Sequence, residues 1–251
     1  MSISIGSDNS LILSEEDDDS SLIDLEAHWF RLIPSRFPPV SIYERIIAND
    51  RVAELVETEN ITNPRLRRAN FLTKGIDPID PESPILQNWN LASFTYPQPD
   101  GTRFFRPVCS CLELSDDLQT ALAVSVKRRE WFLQQTEEPP QGIDMRVLKT
   151  PIKGRFLDLR YLPVSLVESV RWQIGDYVTE KEYDGIIFAP EERPSAACIG
   201  VLKEHALGRS QQTKHFRFHW NGQRISSLYA FDNAQEIEPA ALSGSKVAIA
   251  A

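Results

Sequence analysis

A ten-residue run near the C-terminus, Phe216 to Ile225, constrains the fold more strongly than any other part of the chain. Apolar and polar residues alternate as far as Asn221-Gly222, and the alternation resumes after Arg224. An Asn-Gly pair between two alternating segments favours a two-residue turn that joins antiparallel strands. We therefore predict a β-hairpin at this position, with Asn221 and Gly222 as the turn.

Hydrophobic periodicity predicts helices and further strands upstream of the hairpin. One helix is expected from the cap at Ser115-Asp116-Asp117 to about Gln135, where Glu137-Glu138-Pro139-Pro140 ends it. Other helices are expected through 166–174 and, capped by Ser41, through 43–56. Strands are predicted at 145–148, 155–159, 185–188 and 198–202. Together these elements predict a mixed α and β fold rather than a βαβ array. The sequence contains no glycine-rich phosphate loop.

Residues 1–27 differ in charge from the rest of the chain. They hold eight acidic residues and no Lys or Arg, so the remaining 28 acidic and 27 basic residues leave the body nearly neutral despite a net charge of −9. An acidic run of this kind is typical of a solvated tail, and the alternative is an arm that covers a basic surface on this chain or on a partner. Neither part has the positive charge that direct nucleic-acid binding requires.

The length of 251 residues suits one large domain or two small ones. We expect a flexible acidic tail at 1–27, one domain at 28–231 and a flexible C-terminal tail at 232–251. No apolar run approaches the roughly 18 residues that would predict a membrane span. No basic segment leads into an apolar stretch at the N-terminus, so we expect no secretory signal and a cytoplasmic protein.

Cysteine and histidine residues give little support for a nucleophile or a metal site. Cys109, Cys111 and Cys198 make no disulfide framework, and reduced core thiols are the expectation. His215 and His219 would share a strand face about 13 Å apart, whereas zinc ligands bind at about 2 Å, so no metal is expected. No Ser lies in the G-x-S-x-G motif of hydrolases.

Arginine residues beside aromatic residues are the clearest sign of a ligand site. They occur at Trp29-Phe30-Arg31, Arg36-Phe37 and Arg103-Phe104-Phe105-Arg106. A guanidinium group binds phosphate through two hydrogen bonds and stacks on flat rings, which favours a nucleotide pocket. Ordinary surface ion pairing is the alternative that composition leaves open.

Segments spread along the chain resemble, in order, the longer proteins of the RES-domain family. They are residues 29–40, 61–67, the Asp100-Gly101-Thr102-Arg103-Phe104 motif, 118–123, 138–148, Asp184-Gly185-Ile186-Ile187, Cys198 and 220–225. No single segment is specific, whereas the ordered set over residues 29–231 is.

The resemblance implies a single α+β domain related to the ADP-ribosyltransferases, with a bent, mostly antiparallel sheet flanked by helices. It also implies cleavage of the nicotinamide–ribose bond of NAD⁺ by water or phosphate, with NAD⁺ as substrate or ligand and no required cofactor. Members usually act as toxins of bacterial toxin–antitoxin pairs. A helix-turn-helix antitoxin or another protein is therefore the expected partner, and neither nucleic acid nor membrane is expected.

Four site positions carry over from the family. Arg31 lies in the opening motif, Arg103 lies in the Gly-x-Arg-Phe motif, and Tyr43 matches an early pocket Tyr. Phe188 belongs to the motif that leads to the family Ser. The resemblance implies that these residues bind NAD⁺ and that both Arg residues also serve catalysis.

Four other positions depart from the family pattern. Val124 and Pro190 replace the Glu and the Ser that, with an Arg, give the family its name. Glu113 replaces a Tyr and Glu192 replaces an Arg, so two acids would repel the pyrophosphate of NAD⁺. Val cannot hold ribose hydroxyls or face an oxocarbenium-like charge, and Pro lacks a hydroxyl and an N–H. We predict a catalytically weakened or dead protein that serves as a nucleotide- or partner-binding module.

The alternative is an active NAD⁺ glycohydrolase or phosphorylase that uses Arg31, Arg103 and a substitute acid, Glu113. Both hypotheses expect Arg31 and Arg103 to point into one cleft. They differ at Glu113, because the active enzyme requires its carboxylate to lie in that cleft.

Overall fold

The computed structural model describes residues 2–5, 11–14, 21–35, 63–75 and 77–244. Two short strands, β1 (Ser2–Ile5) and β2 (Leu11–Ser14), pair antiparallel in a sheet of their own. The other described strands form one eight-stranded sheet that is antiparallel except for a single pairing. The expected α+β class with a mostly antiparallel sheet is confirmed.

The eight strands include two that are long and six that are shorter. They are β3 (Leu22–Pro34), β4 (Leu112–Ser115), β5 (Gln141–Asp158), β6 (Gly185–Phe188), β7 (Cys198–Val201), β8 (Gln211–Trp220), β9 (Ile225–Ala230) and β10 (Gln235–Ile237). Their order in the sheet is β10-β9-β8-β5-β3-β4-β7-β6. Because β6 also pairs in parallel with the end of β5, five strands (β5, β3, β4, β7 and β6) close into a ring.

The described helices lie on both faces of this sheet. They are α1 (Pro64–Lys74), α2 (Asn88–Thr95), α3 (Leu118–Gln134) and α4 (Glu168–Glu180), with 3₁₀ turns at Pro84–Leu86, Glu204–Ala206 and Pro239–Ser243. The predicted start of α3 is confirmed, since the Asp117 side chain accepts a hydrogen bond from the Thr120 amide. None of the helices within the described ranges has both the length and the apolar composition that a bilayer span requires.

Strand β5 replaces the two separate strands predicted at 145–148 and 155–159. Its eighteen residues continue through Pro151, which faces His28 of β3. The Pro151 carbonyl accepts a hydrogen bond from Gly208 on the side of β5 opposite β3, and the Pro151 nitrogen, which carries no hydrogen, points to that side too. On that side Pro151 lies between the segment that pairs with β8 and the segment that pairs with β6, so the proline costs no ladder hydrogen bond.

The core divides between the two faces of the sheet. Inside the ring, Trp29, Leu114, Phe156 and Ile199 pack with Phe94 of α2. The other face is covered by α3 and α4, and it buries residues such as Phe104, Phe188, Met145, Phe216 and Phe218. Helix α2 thus packs on the Trp29 side of the sheet, while α3 and α4 pack on the other side.

The predicted hairpin is confirmed, although its turn is shifted by one residue. Strands β8 and β9 pair as far as Trp220 and Ile225, and the Asn221 amide donates to the Arg224 carbonyl. Gly222, at φ +94°, and Gln223 therefore form the tip. The Asn221 side chain lies outside the tip and accepts hydrogen bonds from the amides of Gln223 and Arg224.

The sheet extends beyond the domain limits expected at residues 28 and 231. Strand β3 begins at Leu22, and its acidic residues Asp24 and Glu26 pair with Arg155 and Lys153 of β5. At the other end, β10 and the 3₁₀ turn at Pro239–Ser243 bury apolar side chains in the core. The helix predicted from Ser41 lies outside the described residues.

Candidate functional site

Arg103 lies in the loop between α2 and β4, and its guanidinium joins two other loops. Its Nη2 donates to the Val164 carbonyl at 2.8 Å and to Oε1 of Glu191 at 2.9 Å. The guanidinium carbon lies 5.8 Å from the centre of the Phe188 ring. The side chain is only 16% exposed, so these contacts fix Arg103 beside Phe188.

Glu113 projects from β4 towards α3 and lies next to Arg103. Its Oε1 accepts a hydrogen bond of 3.3 Å from the main-chain N–H of Arg103. Its other carboxylate oxygen forms an ion pair with Arg128 of α3. The Glu113 side chain is 8% exposed and that of Arg128 is 51% exposed. The carboxylate is therefore buried, and a cation from the next helix compensates its charge.

Val124 and Pro190, at the positions that the resemblance assigns to the family Glu and Ser, are both apolar. Val124 lies one turn before Arg128 in α3 and packs against the core cluster that contains Phe104 and Phe188. The rings of Phe104 and Phe188 are 5.0 Å apart, and Pro190 is buried just beyond them. Val124 and Pro190 therefore contribute packing surface to this region.

Arg31 forms a separate attachment between β3 and α2. Its Nη1 donates to Oγ of Ser93 at 2.9 Å, and its Nη2 donates to the Trp89 carbonyl. Burial lowers the pKa of Arg31 to about 10. Its Nε is buried without a hydrogen-bond partner among the described residues. The guanidinium thus ties α2 to the inner side of the ring.

Arg31 and the Arg103–Glu113 pair lie on opposite faces of the sheet. Phe30 pairs with Ser115, so the two share a face, and Glu113 lies on that face two residues before Ser115. Arg31, next to Phe30, points to the opposite face, where Trp29 packs inside the ring. The expectation that Arg31 and Arg103 share one cleft is therefore wrong.

Among the residues that the sequence nominates, the structure brings together Arg103, Glu113 and Phe188. Arg31 lies apart from them, and Tyr43 lies outside the described residues. Sequence reasoning missed Arg128, although its position four residues after Val124 on a helix places both on one face. It also missed Glu191, for which no local sequence signal exists.

The cysteine thiols do not form a second site. Burial raises the pKa of Cys111, and it raises the pKa of Cys198 to about 12. Cys109 is half-buried, and burial raises its pKa too. Thiols of this kind stay protonated and are poor nucleophiles. In the described residues, no group of three or more His, Cys, Asp or Glu side chains is arranged to hold a metal ion.

A surface pocket of about 460 Å³ lies beside the loop that carries Glu191. Its walls include Asp116, Asp158, Arg160, Tyr161 and Ser195, and neither Arg103 nor Glu113 lines it. Asp158 accepts several hydrogen bonds from the Arg160 guanidinium. The charged groups of this pocket are thus largely paired with each other, and Arg103 and Phe188 remain the stronger candidate site.

Comparison with known proteins identifies the family. A family model described as the RES domain matches residues 85–221, which include Arg103, Glu113, Val124 and Pro190 but not Arg31. The chain is similar to y4oC of Sinorhizobium fredii (strain NBRC 101917 / NGR234), described as uncharacterized, with 52% identity over 227 residues, 90% of this chain and 97% of that one. A chain of the M. tuberculosis MbcT–MbcA toxin–antitoxin complex shows 13% identity and a TM-score of 0.42, over 82% of this chain and 90% of that chain. The family match spans more than half of the sequence, and the chain therefore belongs to the RES-domain family.

Proposed function

We propose that this RES-domain protein has lost most or all of the NAD⁺ cleavage that the family resemblance implies, and that it acts as a nucleotide- or partner-binding module. The ion pair between Glu113 and Arg128 carries this proposal. An acid that replaces the family Glu must reach ribose hydroxyls and face a developing positive charge. A buried carboxylate that is already compensated by Arg128 is poorly suited to either task.

The surroundings of Glu113 support the same proposal. Val124 and Pro190 contribute packing surface, and Arg31 cannot join from the other face of the sheet. Arg103 is the group best suited to bind a ligand, because its Nε and Nη1 have no partner among the described residues. A guanidinium beside an aromatic ring suits the phosphate and the flat base of a nucleotide.

One observation favours the alternative of an active glycohydrolase or phosphorylase. Glu113 lies within 3.3 Å of the Arg103 main chain, so a substitute acid is close to the Arg that the family resemblance assigns to NAD⁺. If Arg128 moved away on NAD⁺ binding, the Glu113 carboxylate would be released beside the ligand. The two functions therefore differ in whether Glu113 takes part in turnover.

Release of nicotinamide from NAD⁺ by the purified full chain tests the proposal, with and without inorganic phosphate. We expect a rate at or close to that of a protein-free control, and calorimetric NAD⁺ binding that is lost in Arg103→Ala. Arg106→Ala is the matched control, because Arg106 is a nearby exposed Arg paired with Asp176. Turnover by the wild type that disappears in Glu113→Gln would establish the active enzyme instead.

A protein partner belongs to the same proposal. The family resemblance implies a helix-turn-helix antitoxin, and a binding module without turnover would still present the surface around Arg103 to such a protein. The free thiols Cys109, Cys111 and Cys198 support a reducing, cytoplasmic location for this module. Co-purification of the tagged chain with a co-expressed helix-turn-helix antitoxin, and its loss in Arg103→Glu, would test this part.

A further inference from the structure

The Arg103 guanidinium already holds an anion that the chain itself supplies. Glu191 lies in the loop between β6 and β7, and its Oε1 accepts a hydrogen bond of 2.9 Å from Nη2 of Arg103. The Glu191 side chain is 55% exposed, whereas that of Arg103 is 16% exposed. An exposed carboxylate is thus paired with a mostly buried guanidinium.

A carboxylate oxygen and a phosphate oxygen compete for the same kind of donor. Both accept charge-assisted hydrogen bonds from a guanidinium, and phosphate binds it most strongly through two parallel bonds. Glu191 accepts a hydrogen bond from Nη2, so its negative charge lies beside the guanidinium whose Nε and Nη1 would bind a phosphate. A phosphate bound to the Arg103 guanidinium would lie close to the Glu191 carboxylate, and the two negative charges would repel each other. Each of them therefore weakens the binding of the other to Arg103.

We propose that Glu191 is a built-in competitor that lowers the affinity of Arg103 for phosphate-bearing ligands. The inference rests on the proposed function in one respect, namely that Arg103 is the ligand-binding residue. The adjacent Glu192 adds a second negative charge to the same loop.

The geometry makes the competition reversible. Because the Glu191 side chain is 55% exposed, water competes for its carboxylate and the ion pair contributes little free energy, so a phosphate can displace Glu191. Arg103 would keep its position when this happens, because Nη2 also donates to the Val164 carbonyl at 2.8 Å. Arg171 further holds the Arg103 carbonyl through a hydrogen bond of 2.9 Å. Glu113 differs from Glu191, since it is buried and held by Arg128.

Calorimetric titration with inorganic pyrophosphate, a free anion with the same phosphoanhydride group that links the two halves of a dinucleotide, tests the inference. We expect Glu191→Gln to bind pyrophosphate about 5-fold more tightly than the wild type, the upper range for an exposed ion pair. Glu236→Gln is the control, because it removes the same charge from an exposed position on β10. In Arg103→Met the gain from Glu191→Gln should vanish.

Several outcomes would overturn the inference. They are equal affinities of Glu191→Gln and Glu236→Gln, weaker binding by Glu191→Gln, or no detectable pyrophosphate binding by either the wild type or Glu191→Gln. Parallel titration with NAD⁺ separates this inference from the proposed function. Tighter pyrophosphate binding without NAD⁺ binding in any variant would leave the inference standing and remove the nucleotide-binding function. NAD⁺ binding that depends on Arg103 but not on Glu191 would support the nucleotide-binding function and overturn the inference.

Discussion

At the scale of single residues, Arg128 determines the state of Glu113. In Arg128→Met the buried carboxylate loses its cation, and we expect the free energy of unfolding at pH 7 to fall by about 1–3 kcal/mol. Urea denaturation at pH 7 measures this effect, and Lys127→Met, an exposed neighbour, should change stability by less than about 0.5 kcal/mol. Equal losses in the two variants would show that the ion pair contributes nothing.

Arg31 gives a second prediction at this scale. Because its guanidinium binds the Trp89 carbonyl and Ser93, Arg31→Ala should lower the free energy of unfolding by about 2–3 kcal/mol. The affinity of the folded variant for NAD⁺ should match that of the wild type, since Arg31 and Arg103 lie on opposite faces. Chemical denaturation and calorimetry measure the two quantities. A folded Arg31→Ala protein with weakened NAD⁺ binding would contradict this placement.

Arg31 and Arg103 also show what the sequence does not predict about the site. The motifs around Arg31 and Arg103 identify both residues, yet they do not reveal which face of a strand or which side of a sheet each one occupies. That choice depends on the register of β3 against β4 and β5, in which a shift of one residue reverses every side chain. Arg128 and Glu191 were missed because their roles arise only when α3 and a loop pack beside Arg103.

At the scale of elements, the start of α3 depends on Asp117. Its carboxylate caps the helix at the Thr120 amide and pairs with Arg193, which is 10% exposed. Asp117→Ala should lower the free energy of unfolding by about 2–4 kcal/mol, because it removes the cap and leaves a buried guanidinium without its carboxylate. Asp117→Asn can still cap the helix and should cost less. Urea denaturation at pH 7 measures both, and equal losses would contradict a separate contribution from the ion pair.

The same carboxylate predicts a dependence of stability on pH. Partial burial alone would raise the pKa of Asp117, but hydrogen bonds from the Thr120 amide and Arg193 lower it. A carboxyl group with a lower pKa in the folded state stabilises the fold above its unfolded pKa of about 3.9. This contribution is lost as the pH falls through the folded pKa. The stability difference between wild type and Asp117→Asn should therefore decrease below about pH 4.

Elements differ in how well the sequence predicts them. Strand β6 was predicted at its observed limits because a short, fully buried apolar run has few alternatives. Strand β5 was predicted as two strands, and Pro151 and Gly154 between them are residues typical of breaks. Only the neighbouring strands show that Pro151 lies between the pairings with β8 and β6. The first part of β3 was assigned to a tail because Asp24 and Glu26 suggest solvent. On the outer face of a strand, acids of this kind are compatible with pairing.

At the scale of the whole molecule, the strand ring closes at Gly185. This residue has φ +154°, and an added Cβ atom would overlap the carbonyl oxygen of Gly200 in β7. Gly185→Ala should therefore lower the free energy of unfolding by about 3 kcal/mol or more. Gly222→Ala is the control, because Gly222 also has positive φ at the hairpin tip but only ordinary contacts around it. Its cost should be about 1 kcal/mol, and equal costs would show that ring closure at Gly185 is not tightly packed.

The pairing of β3 with β5 has a consequence for synthesis of the chain. Leu22 pairs with Leu157, so β3 leaves the ribosome more than a hundred residues before its partner. At typical elongation rates the strand waits on the order of ten seconds with its backbone unpaired. An unpaired strand is a template for aggregation, and charged side chains reduce that hazard. In the finished sheet Asp24 and Glu26 pair with Arg155 and Lys153. Before those two residues are synthesised, the unpaired negative charges would repel other chains and so protect the nascent strand from aggregation.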